Sequence, residues 1–274
     1  MKNLSDINVV KSLLSRHGFQ FSKALGQNFL INPEICPKMA TECGADQTKG
    51  VIEVGPGFGV LTRELAARAN KVVAIELDKR LPAVLAETLR DFDNVKVVQA
   101  DVMEVDLHQL IQDEFSGLDV LVCANLPYYI TSDILEHIIC SQASLSSIHA
   151  MVQKEVALKL TDTQYHSPLT FMIESIGTIS LDMHVSRNVF SPAPRVDSAI
   201  IAIHIHKEYN ILLTHLLKQA FTQKRKTIYN NLKQEYQNAL DILNENQIDQ
   251  KLRCEQLTLE DYQAITKSLY KHII

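Results

Sequence analysis

The sequence has few features that would point to a membrane, to export or to a bound metal. It contains no run of about 18 apolar residues, the length that a transmembrane helix requires, and its amino-terminal residues mix polar and apolar types, so we expect neither a membrane span nor a signal peptide. The five cysteines include no CxxC pair, which argues against a disulfide framework or a zinc site and fits a reduced, cytoplasmic protein. His204 and His206 face one way on a predicted strand, but no third ligand accompanies them, so no metal site is predicted.

The chain also has no excess of positive charge. The net charge of -5 and the pI of about 6.1 argue weakly against a nucleic-acid partner, because proteins that bind nucleic acid usually carry a strongly basic domain. Basic residues are nevertheless grouped: Lys11, Arg16 and Lys23 lie near the amino terminus, and residues 218–226 read KQAFTQKRK. Each group is either a set of solvated charges on a helix surface or a site that contacts phosphates, and composition alone does not separate the two.

Strands alternate with helices over the first half of the chain. Apolar, β-branched runs predict five strands, and the segments between them have helical periodicity; the strands cover residues 51–54, 71–77, 94–101, 118–124 and 147–153. Such alternation is typical of an α/β fold, in which helices cover both faces of a parallel sheet.

The pattern changes near Leu169. Residues 169–185 and 196–206 predict two longer strands that finish the sheet as an antiparallel pair. From about Lys207 only helical patterns remain, and Thr258 is the expected cap of the last helix. We therefore predict two domains: an α/β domain over residues 1–206 and a small all-helical domain over residues 207–274.

Three glycines follow the first predicted strand. Gly55, Gly57 and Gly59 form a GxGxG pattern, not the GxGxxG of nicotinamide dinucleotide folds, because Val60 occupies the sixth position. Glycine lets the backbone turn tightly and approach a ligand closely. Glu53, just before the turn, fits poorly beside a pyrophosphate but is compatible with a cation that carries an amine and a sulfonium. A purely structural turn is the alternative.

Two acids end the next strands at a similar height. Glu76 closes the second strand, where an open α/β sheet places a carboxylate that binds ribose hydroxyls, and Asp101 closes the third, where it could accept from an adenine amine. Each acid taken singly is more often a solvated strand end or a helix cap. Together with the glycine turn they favour a cofactor that contains adenosine.

Residues 125–129, Asn-Leu-Pro-Tyr-Tyr, follow the fourth strand at the same edge. The Asn125 carboxamide oxygen and the backbone carbonyl of Leu126 or Pro127 could accept both hydrogens of adenine N6, hold the nitrogen toward tetrahedral geometry and free its lone pair. Pro127 fixes the backbone, and Tyr128 can stack on the base. Alone, the pentapeptide could be a strand-ending turn. Beside the glycines and the two acids, catalysis is favoured.

Eight segments together resemble the ribosomal RNA adenine N6,N6-dimethyltransferase family. They are LGQNFL (25–30), EVGPGFGVLT (53–62), VVAIELD (72–78), QADVMEVD (99–106), NLPYYITSDIL (125–135), MVQKEVA (151–157), FSPAPRVDSAI (190–200) and AFTQKRKTIYNNL (220–232). The resemblance implies a Rossmann-like methyltransferase domain, a helical carboxy-terminal domain that docks on RNA or the ribosome, and S-adenosylmethionine as the methyl donor. It further implies, as substrate, two adjacent adenosines in the 3′-terminal hairpin loop of 16S rRNA within the 30S subunit. A cytoplasmic monomer is the default expectation.

The resemblance also assigns roles to individual residues. It implies cofactor contacts for seven residues: Asn28, Leu30, Gly55, Gly57, Glu76, Asp101 and Asn125. Asn125 additionally activates the target amine, and the chain from Leu126 to Tyr128 completes the catalytic motif. Tyr128 matches one wall of the base pocket and Phe190 the other, as a clamp for a flipped base.

The sequence leaves some expectations open. Residues 161–167 are shorter than the corresponding family loop and lack its glycine and lysine, which leaves RNA contacts at these residues open. Because the pI is low for an RNA enzyme, RNA binding would depend more on Lys224, Arg225, Lys226 and the amino-terminal lysines than on the overall charge. One rival is the resistance-type branch of the family, which modifies an adenine of large-subunit rRNA. A second is a ribosome-assembly factor that has lost catalysis, which the intact motif at 125–128 disfavours. An oxidoreductase would require the GxGxxG that Val60 denies.

Overall fold

The computed structural model describes residue 4, residues 6–18 and residues 28–273, and these form two compact units. The first unit comprises the described residues up to Thr161 together with Ile179–Ile205. The second comprises Asp162–Thr178 and the described residues from His206 onward. The chain therefore enters the second unit twice, whereas the sequence predicts a single boundary near Lys207.

The secondary structure matches the predicted alternation over the first half of the chain. The helices are α1 (Ile7–Arg16), α2 (Ile35–Glu42), α3 (Val60–Ala66), α4 (Leu81–Thr88), α5 (Leu107–Glu114), α6 (Thr131–Cys140), α7 (Lys154–Thr161), α8 (Pro168–Ile176), α9 (Ile211–Ala220), α10 (Ile228–Leu232), α11 (Ala239–Glu245) and α12 (Leu259–Ile273). The strands are β1 (Phe29–Leu30), β2 (Lys49–Val54), β3 (Lys71–Glu76), β4 (Val95–Gln99), β5 (Asp119–Asn125), β6 (Ser147–Gln153), β7 (Gly177–Val185), β8 (Phe190–Ser191) and β9 (Ser198–Ile205).

A seven-stranded sheet organises the first unit. Its strand order is β4-β3-β2-β5-β6-β9-β7. The first five strands in this order are parallel to one another, and β9 is antiparallel to β6. The fold class is confirmed: a Rossmann-like mixed sheet with helices, whose last strands depart from the parallel direction. Each parallel strand ends at the same edge, which is the arrangement that brings distant side chains into one site.

Two apolar clusters hold helices to the first unit. One packs buried side chains of α2 and α3, such as Met39 and Leu65, against the sheet residues Val72 and Leu121. The other packs α1 against α4 and includes Leu13 of α1. Burial of such side chains is the main favourable term in folding, worth about 25 cal/mol per Å² of apolar surface removed from water.

The amino-terminal helix α1 has a side-chain cap at its first turn. The side chain of Asp6 accepts a hydrogen bond from Asn8 N, which satisfies one of the free donors at the start of α1. At its other end, Arg16 donates to Glu87 at 2.6 Å and the His17 ring contacts the same carboxylate at 2.9 Å. Arg16 is therefore paired within the protein, and Lys23 of the same predicted basic group lies outside the described residues.

The strand predicted over residues 169–185 is wrong over its first half and confirmed over residues 177–185. Residues 168–176 form the helix α8, and β7 begins only at Gly177. Ser167 caps the helix by accepting from Thr170 N, the Thr170 hydroxyl accepts from Ser167 N in return, and Pro168 occupies the first turn. These start signals outweigh the β-branched residues of the segment, because they satisfy the amino-terminal donors of a helix.

Aromatic residues form the core of the second unit. Phe171 of α8 lies 5.2 Å from Tyr262 of α12 and 6.1 Å from Phe221, measured between ring centroids. The Tyr262 hydroxyl donates to the Cys254 carbonyl at 2.8 Å. Thr258, the predicted cap, accepts from Asp261 N at 3.3 Å. Helix α8, the end of α9 and helix α12 are therefore joined around one aromatic cluster.

The described residues contain no helix that is both long and apolar enough to cross a membrane. Within the same residues, no three or more His, Cys, Asp or Glu side chains are grouped so that they could hold a metal ion.

Gly50 of β2 lies directly against an aromatic ring. A Cβ atom added at Gly50 would lie 2.3 Å from Cδ1 of Phe115, a buried residue at the end of α5. We expect Gly50→Ala to lower the free energy of unfolding by about 1–3 kcal/mol or more, because the ring has to move within a packed core. Urea unfolding measures the change. Gly117→Ala is the comparison, since its Cβ meets no atom within 4 Å and its cost reports backbone strain at φ 75° alone. A smaller loss for Gly50→Ala than for Gly117→Ala would contradict the packing argument.

Candidate active site

A cavity opens at the carboxyl ends of the central parallel strands. The direction of the strand order reverses between β2 and β5, because β3 and β4 extend the sheet beyond β2 while β6 extends it beyond β5. Open α/β sheets bind ligands at such a reversal, outside the carboxyl ends of the strands. The space in and directly outside the cavity, solvent included, amounts to about 1080 Å³.

Most of the predicted site residues meet in this cavity. Its lining includes Asn28, Leu30, Gly55, Gly57, Glu76, Asp101, Asn125, Leu126, Pro127 and Tyr128. Phe190 is not among the lining residues. Its side chain is 3% exposed, it pairs through the backbone with Leu30, and it lies in the apolar cluster with Met151 and Ile200.

The three glycines adopt a backbone conformation that other residues rarely take. Gly55, Gly57 and Gly59 have φ values of 70°, 58° and 83°. A side chain at Gly57 would also lie 2.9 Å from the Phe29 ring, which stacks on Phe58 with centroids 3.9 Å apart. The glycines therefore shape the wall between β2 and α3, and Phe29 follows the predicted contact Asn28. The preceding Gln27 lies outside the described residues.

Glu76 ties the end of β3 to the glycine turn. Its Oε1 accepts from Asp78 N at 2.7 Å and its Oε2 accepts from Gly57 N at 3.3 Å. Burial raises the pKa of Glu76 to about 7, and these two backbone hydrogen bonds offset part of that rise. Each carboxylate oxygen keeps a further lone pair, so the residue can still accept from ligand hydroxyls.

Asp101 has both of the roles that the sequence leaves open, since it lies on the cavity wall and also caps a turn. It lines the cavity, and its Oδ1 also accepts from Met103 N at 3.0 Å, which caps the short 3-10 turn Val102–Glu104. The cap fixes the carboxylate at the strand end. A fixed carboxylate is better suited to orienting a ligand than a freely rotating one.

Glu53 is a buried acid on the cavity wall. It is 2% exposed, and among the described residues its Oε2 has no hydrogen-bond partner. Burial raises the pKa of Glu53 to about 8; the Thr62 hydroxyl lowers it in part, and the nearby Glu76 carboxylate raises it. An isolated carboxylate is costly in such a place, so the position favours a ligand that brings positive charge.

The turn after β5 contains two backbone carbonyls, Leu126 and Pro127, that differ in how many hydrogen bonds they already accept. Asn125 is the last residue of β5, half-buried and on the cavity wall. The carbonyl of Pro127 already accepts from the Thr131 hydroxyl at 3.0 Å and from Ile130 N at 3.4 Å. In the part of the chain that is described, no hydrogen bond ends on the Leu126 carbonyl. Because a carbonyl has two lone pairs, Leu126 rather than Pro127 is left to accept from a ligand.

Sequence reasoning missed several residues of the cavity. Cys36, Phe58 and Leu81 line it from α2, the glycine turn and the start of α4. Tyr129 also lines it and is 54% exposed. Only Tyr129 carried a signal, through its place beside the catalytic motif; the apolar residues resemble ordinary core positions in the sequence.

The second unit carries the carboxy-terminal basic group on its surface. Lys224, Arg225 and Lys226 are all exposed in the segment between α9 and α10, and the described residues form no salt bridge with any of them. These charges are therefore available to solvent and to anions.

The family model of the ribosomal RNA adenine dimethylases matches residues 18–271 of this chain. The chain belongs to the ribosomal RNA adenine dimethylase family. This dimethylase is thus an rRNA adenine methyltransferase, as the resemblance implies.

Curated relatives support the same family over the full length. The dimethylase is 36% identical, over 100% of its own chain and 99% of the relative, to the ribosomal RNA small subunit methyltransferase A of Geobacillus sp. (strain WCH70). It is 39% identical, over 97% and 98%, to the protein of that name from Streptococcus pneumoniae (strain P1031).

Solved structures share the architecture. The 23S rRNA methyltransferase ErmE matches 89% of the dimethylase and 100% of its own chain with a TM-score of 0.64 at 26% identity. A dimethyladenosine transferase from Plasmodium falciparum matches 90% and 98% with a TM-score of 0.73 at 24% identity, which at that identity shows the fold.

Proposed function

We propose that this dimethylase transfers methyl groups to N6 of two adjacent adenosines in the 3′-terminal hairpin loop of 16S rRNA, with S-adenosylmethionine as donor. It acts as a cytoplasmic monomer on the 30S subunit during ribosome biogenesis. The observation that carries the proposal is the meeting of Asn125, the Leu126 carbonyl and Tyr128 with Glu53, Glu76 and Asp101 in one cavity.

The relatives favour the small subunit as the site of action. Those at 36% and 39% identity over nearly the whole chain are named for the small subunit, whereas ErmE, named for 23S rRNA, is 26% identical. The resistance-type branch is therefore the second candidate.

The acids on the cavity wall match the groups that S-adenosylmethionine would present, which supports this cofactor. When bound, that cofactor supplies a methyl group on a positively charged sulfur. Glu53 provides a buried carboxylate for the cationic end, Glu76 provides acceptors for ribose hydroxyls, and Asp101 provides one for the adenine amine. Asn28, Leu30, Gly55 and Gly57 complete the same wall. The unpartnered Oε2 of Glu53 is the strongest sign of fit, because a bound cation would stabilise the ionised form of this acid, which burial otherwise disfavours.

The target amine is activated by acceptors and not by a base. The Asn125 carboxamide oxygen and the Leu126 carbonyl each accept one hydrogen of N6, which keeps the lone pair out of conjugation with the purine ring. Pro127 holds the backbone at φ -63° and fixes the direction of that carbonyl. The proton leaves N6 for solvent only after the methyl group has been added, when the nitrogen is positively charged and acidic, so neutral acceptors are sufficient. Positioning and electrostatics supply the acceleration.

Tyr128 supplies one stacking wall for the flipped adenine. Base stacking on an aromatic side chain is worth about 1–3 kcal/mol. Phe190 is proposed as the opposite wall on the resemblance alone, since its side chain lies in the apolar cluster and not on the cavity wall.

Lys224, Arg225 and Lys226 are proposed to bind rRNA phosphates, so that the second unit docks the enzyme. Replacing all three by Gln should reduce the slope of log K against log salt for 30S binding by about 2–3, because each lost phosphate contact removes about 0.9. The measurement is 30S binding over a range of salt concentrations. A matched control replaces Lys38, Lys159 and Lys271, each of which pairs with a surface carboxylate. Equal slopes for the two triple variants would contradict the assignment.

The direct test of the function is methyl transfer to defined ribosomal particles. The purified enzyme is incubated with labelled S-adenosylmethionine and either 30S subunits that lack the modification or unmodified 23S rRNA, followed by nucleoside analysis. We expect N6,N6-dimethyladenosine in 16S rRNA only. Label in 23S rRNA would select the second candidate, and 30S binding without label would select an assembly factor.

A further inference from the structure

The hydroxyl group of Tyr128 is held by a residue far away in sequence. Tyr128 Oη lies 2.5 Å from Ser198 Oγ, across 70 positions of the chain. Burial raises the pKa of Tyr128, and the Ser198 hydroxyl lowers it in part, so the phenol stays neutral near pH 7. The ring is therefore held by a neutral hydrogen bond and takes no part as a base.

Ser198 is a rigid anchor. It is the first residue of β9, fully buried, and its backbone pairs with Gln153 of β6. The preceding Asp197 is fixed as well, because its carbonyl accepts from Lys154 N at 2.9 Å and its carboxylate accepts from Arg187 N at 3.0 Å. A hydroxyl on such a support fixes the position of Tyr128 Oη, and because a phenol hydrogen bond prefers the plane of the ring, it also favours one orientation of that plane.

Tyr128 itself has less support. It begins a short 3-10 turn that has no side-chain cap, it is half-buried, and it forms part of the cavity wall. A stacking wall works only if the ring is held parallel to the base, and small errors in orientation are costly for a reaction that depends on positioning. One hydrogen bond at the far end of the ring therefore has a large influence on the geometry.

We propose that Ser198 is a positioning residue for methyl transfer: its hydroxyl fixes the Tyr128 ring in the orientation that receives the target base. The proposal rests on the proposed function of Tyr128 as a stacking wall. Ser198 does not touch the substrate, and its effect passes through the Tyr128 hydroxyl.

A double-mutant cycle tests the proposal. The variants are Ser198→Ala, Tyr128→Phe and the two combined, assayed by single-turnover methyl transfer to unmodified 30S subunits. Each single variant should lose about tenfold in rate, in line with one hydrogen bond, and the combined variant should lose about the same tenfold, because there is only one bond to remove. Losses that multiply to about a hundredfold would overturn the proposal, as would a normal rate for Ser198→Ala.

A second readout does not depend on activity. Tyrosines are replaced by 3-fluorotyrosine, and the Tyr128 signal is assigned by its absence in Tyr128→Phe. In Ser198→Ala that fluorine signal should shift and broaden, while the affinity for S-adenosylmethionine, measured by calorimetry, stays unchanged. An unmoved fluorine signal would overturn the proposal even if the rate falls. The wild-type enzyme could also modify neither ribosomal substrate while the fluorine signal shifts as described. In that case the proposed function fails, and the hydrogen bond from Ser198 that holds the Tyr128 ring is still supported.

Discussion

Replacing Asn125 by Ala should lower the rate of methyl transfer by about 10²–10³-fold or more. In the proposed mechanism the carboxamide oxygen is one of two acceptors that hold the target nitrogen, and removing one such preorganised group typically costs that much. The fold should survive, because Asn125 is a half-buried strand end whose backbone pairing with Met151 does not involve the side chain. Single-turnover assays on unmodified 30S subunits, with thermal unfolding as the check on folding, measure both effects.

Two further variants separate the acceptor role from a general disturbance. Asn125→Asp keeps an acceptor oxygen and should retain more activity than Asn125→Ala. Asn244→Ala, the same change at an exposed position of α11, should leave the rate at the wild-type level. A near-normal rate for Asn125→Ala would refute the proposed activation of the amine.

Replacing Glu53 by Gln should make the protein without cofactor more stable, increasingly so as the pH rises. The pKa of Glu53 is about 8 in the folded protein against an ordinary value of 4.5, so between these values the folded state keeps a proton that the unfolded state has lost. The free energy of unfolding of the wild type therefore falls as pH rises through this window. Glu76, with a pKa of about 7, adds a slope of the same sign in both proteins. The stability difference between Glu53→Gln and wild type should grow by a few kcal/mol from pH 5 to pH 8, on the order of what a shift of this size implies.

Urea unfolding at pH 5, 6, 7 and 8 measures this difference. Glu34→Gln is the control, since Glu34 is exposed and its side chain caps nothing. A difference between Glu53→Gln and wild type that stays constant with pH would show that the buried carboxyl does not titrate as described. The same variant should bind S-adenosylmethionine more weakly, so that stability is gained where affinity is lost.

The sequence predicts the site better than it predicts the contacts that hold the site in place. The acids Glu76 and Asp101 and the amide Asn125 can be placed together because parallel strands end at one edge, whatever the details of packing. The bond between Tyr128 and Ser198 could not be predicted, since it depends on how β9 returns to the sheet. The burial of Phe190 depends in the same way on the pairing of β1 with β8.

The error in the predicted fold has a local cause. Residues 169–176 are rich in β-branched and aromatic types, which favour a strand, whereas the reciprocal cap between Ser167 and Thr170 and the proline at position 168 favour a helix. The cap has the form Ser-x-x-Thr, which is a weaker signal in a sequence than the usual Ser-x-x-Glu. The sequence likewise does not show whether the carbonyl of Leu126 or that of Pro127 is left to accept from a ligand. The answer depends on the hydrogen bonds that the Pro127 carbonyl accepts from Thr131 and Ile130.

Because the second unit is built from two separate segments of the chain, its parts become available for folding at different times during translation. The helix α8 leaves the ribosome well before α9 and α12, which supply its packing partners, and strand β9 of the first unit is made in between. At about 5–20 residues per second, the apolar face of α8 waits for several seconds with no native partner. During this interval of translation α8 is exposed to misfolding and to chaperones.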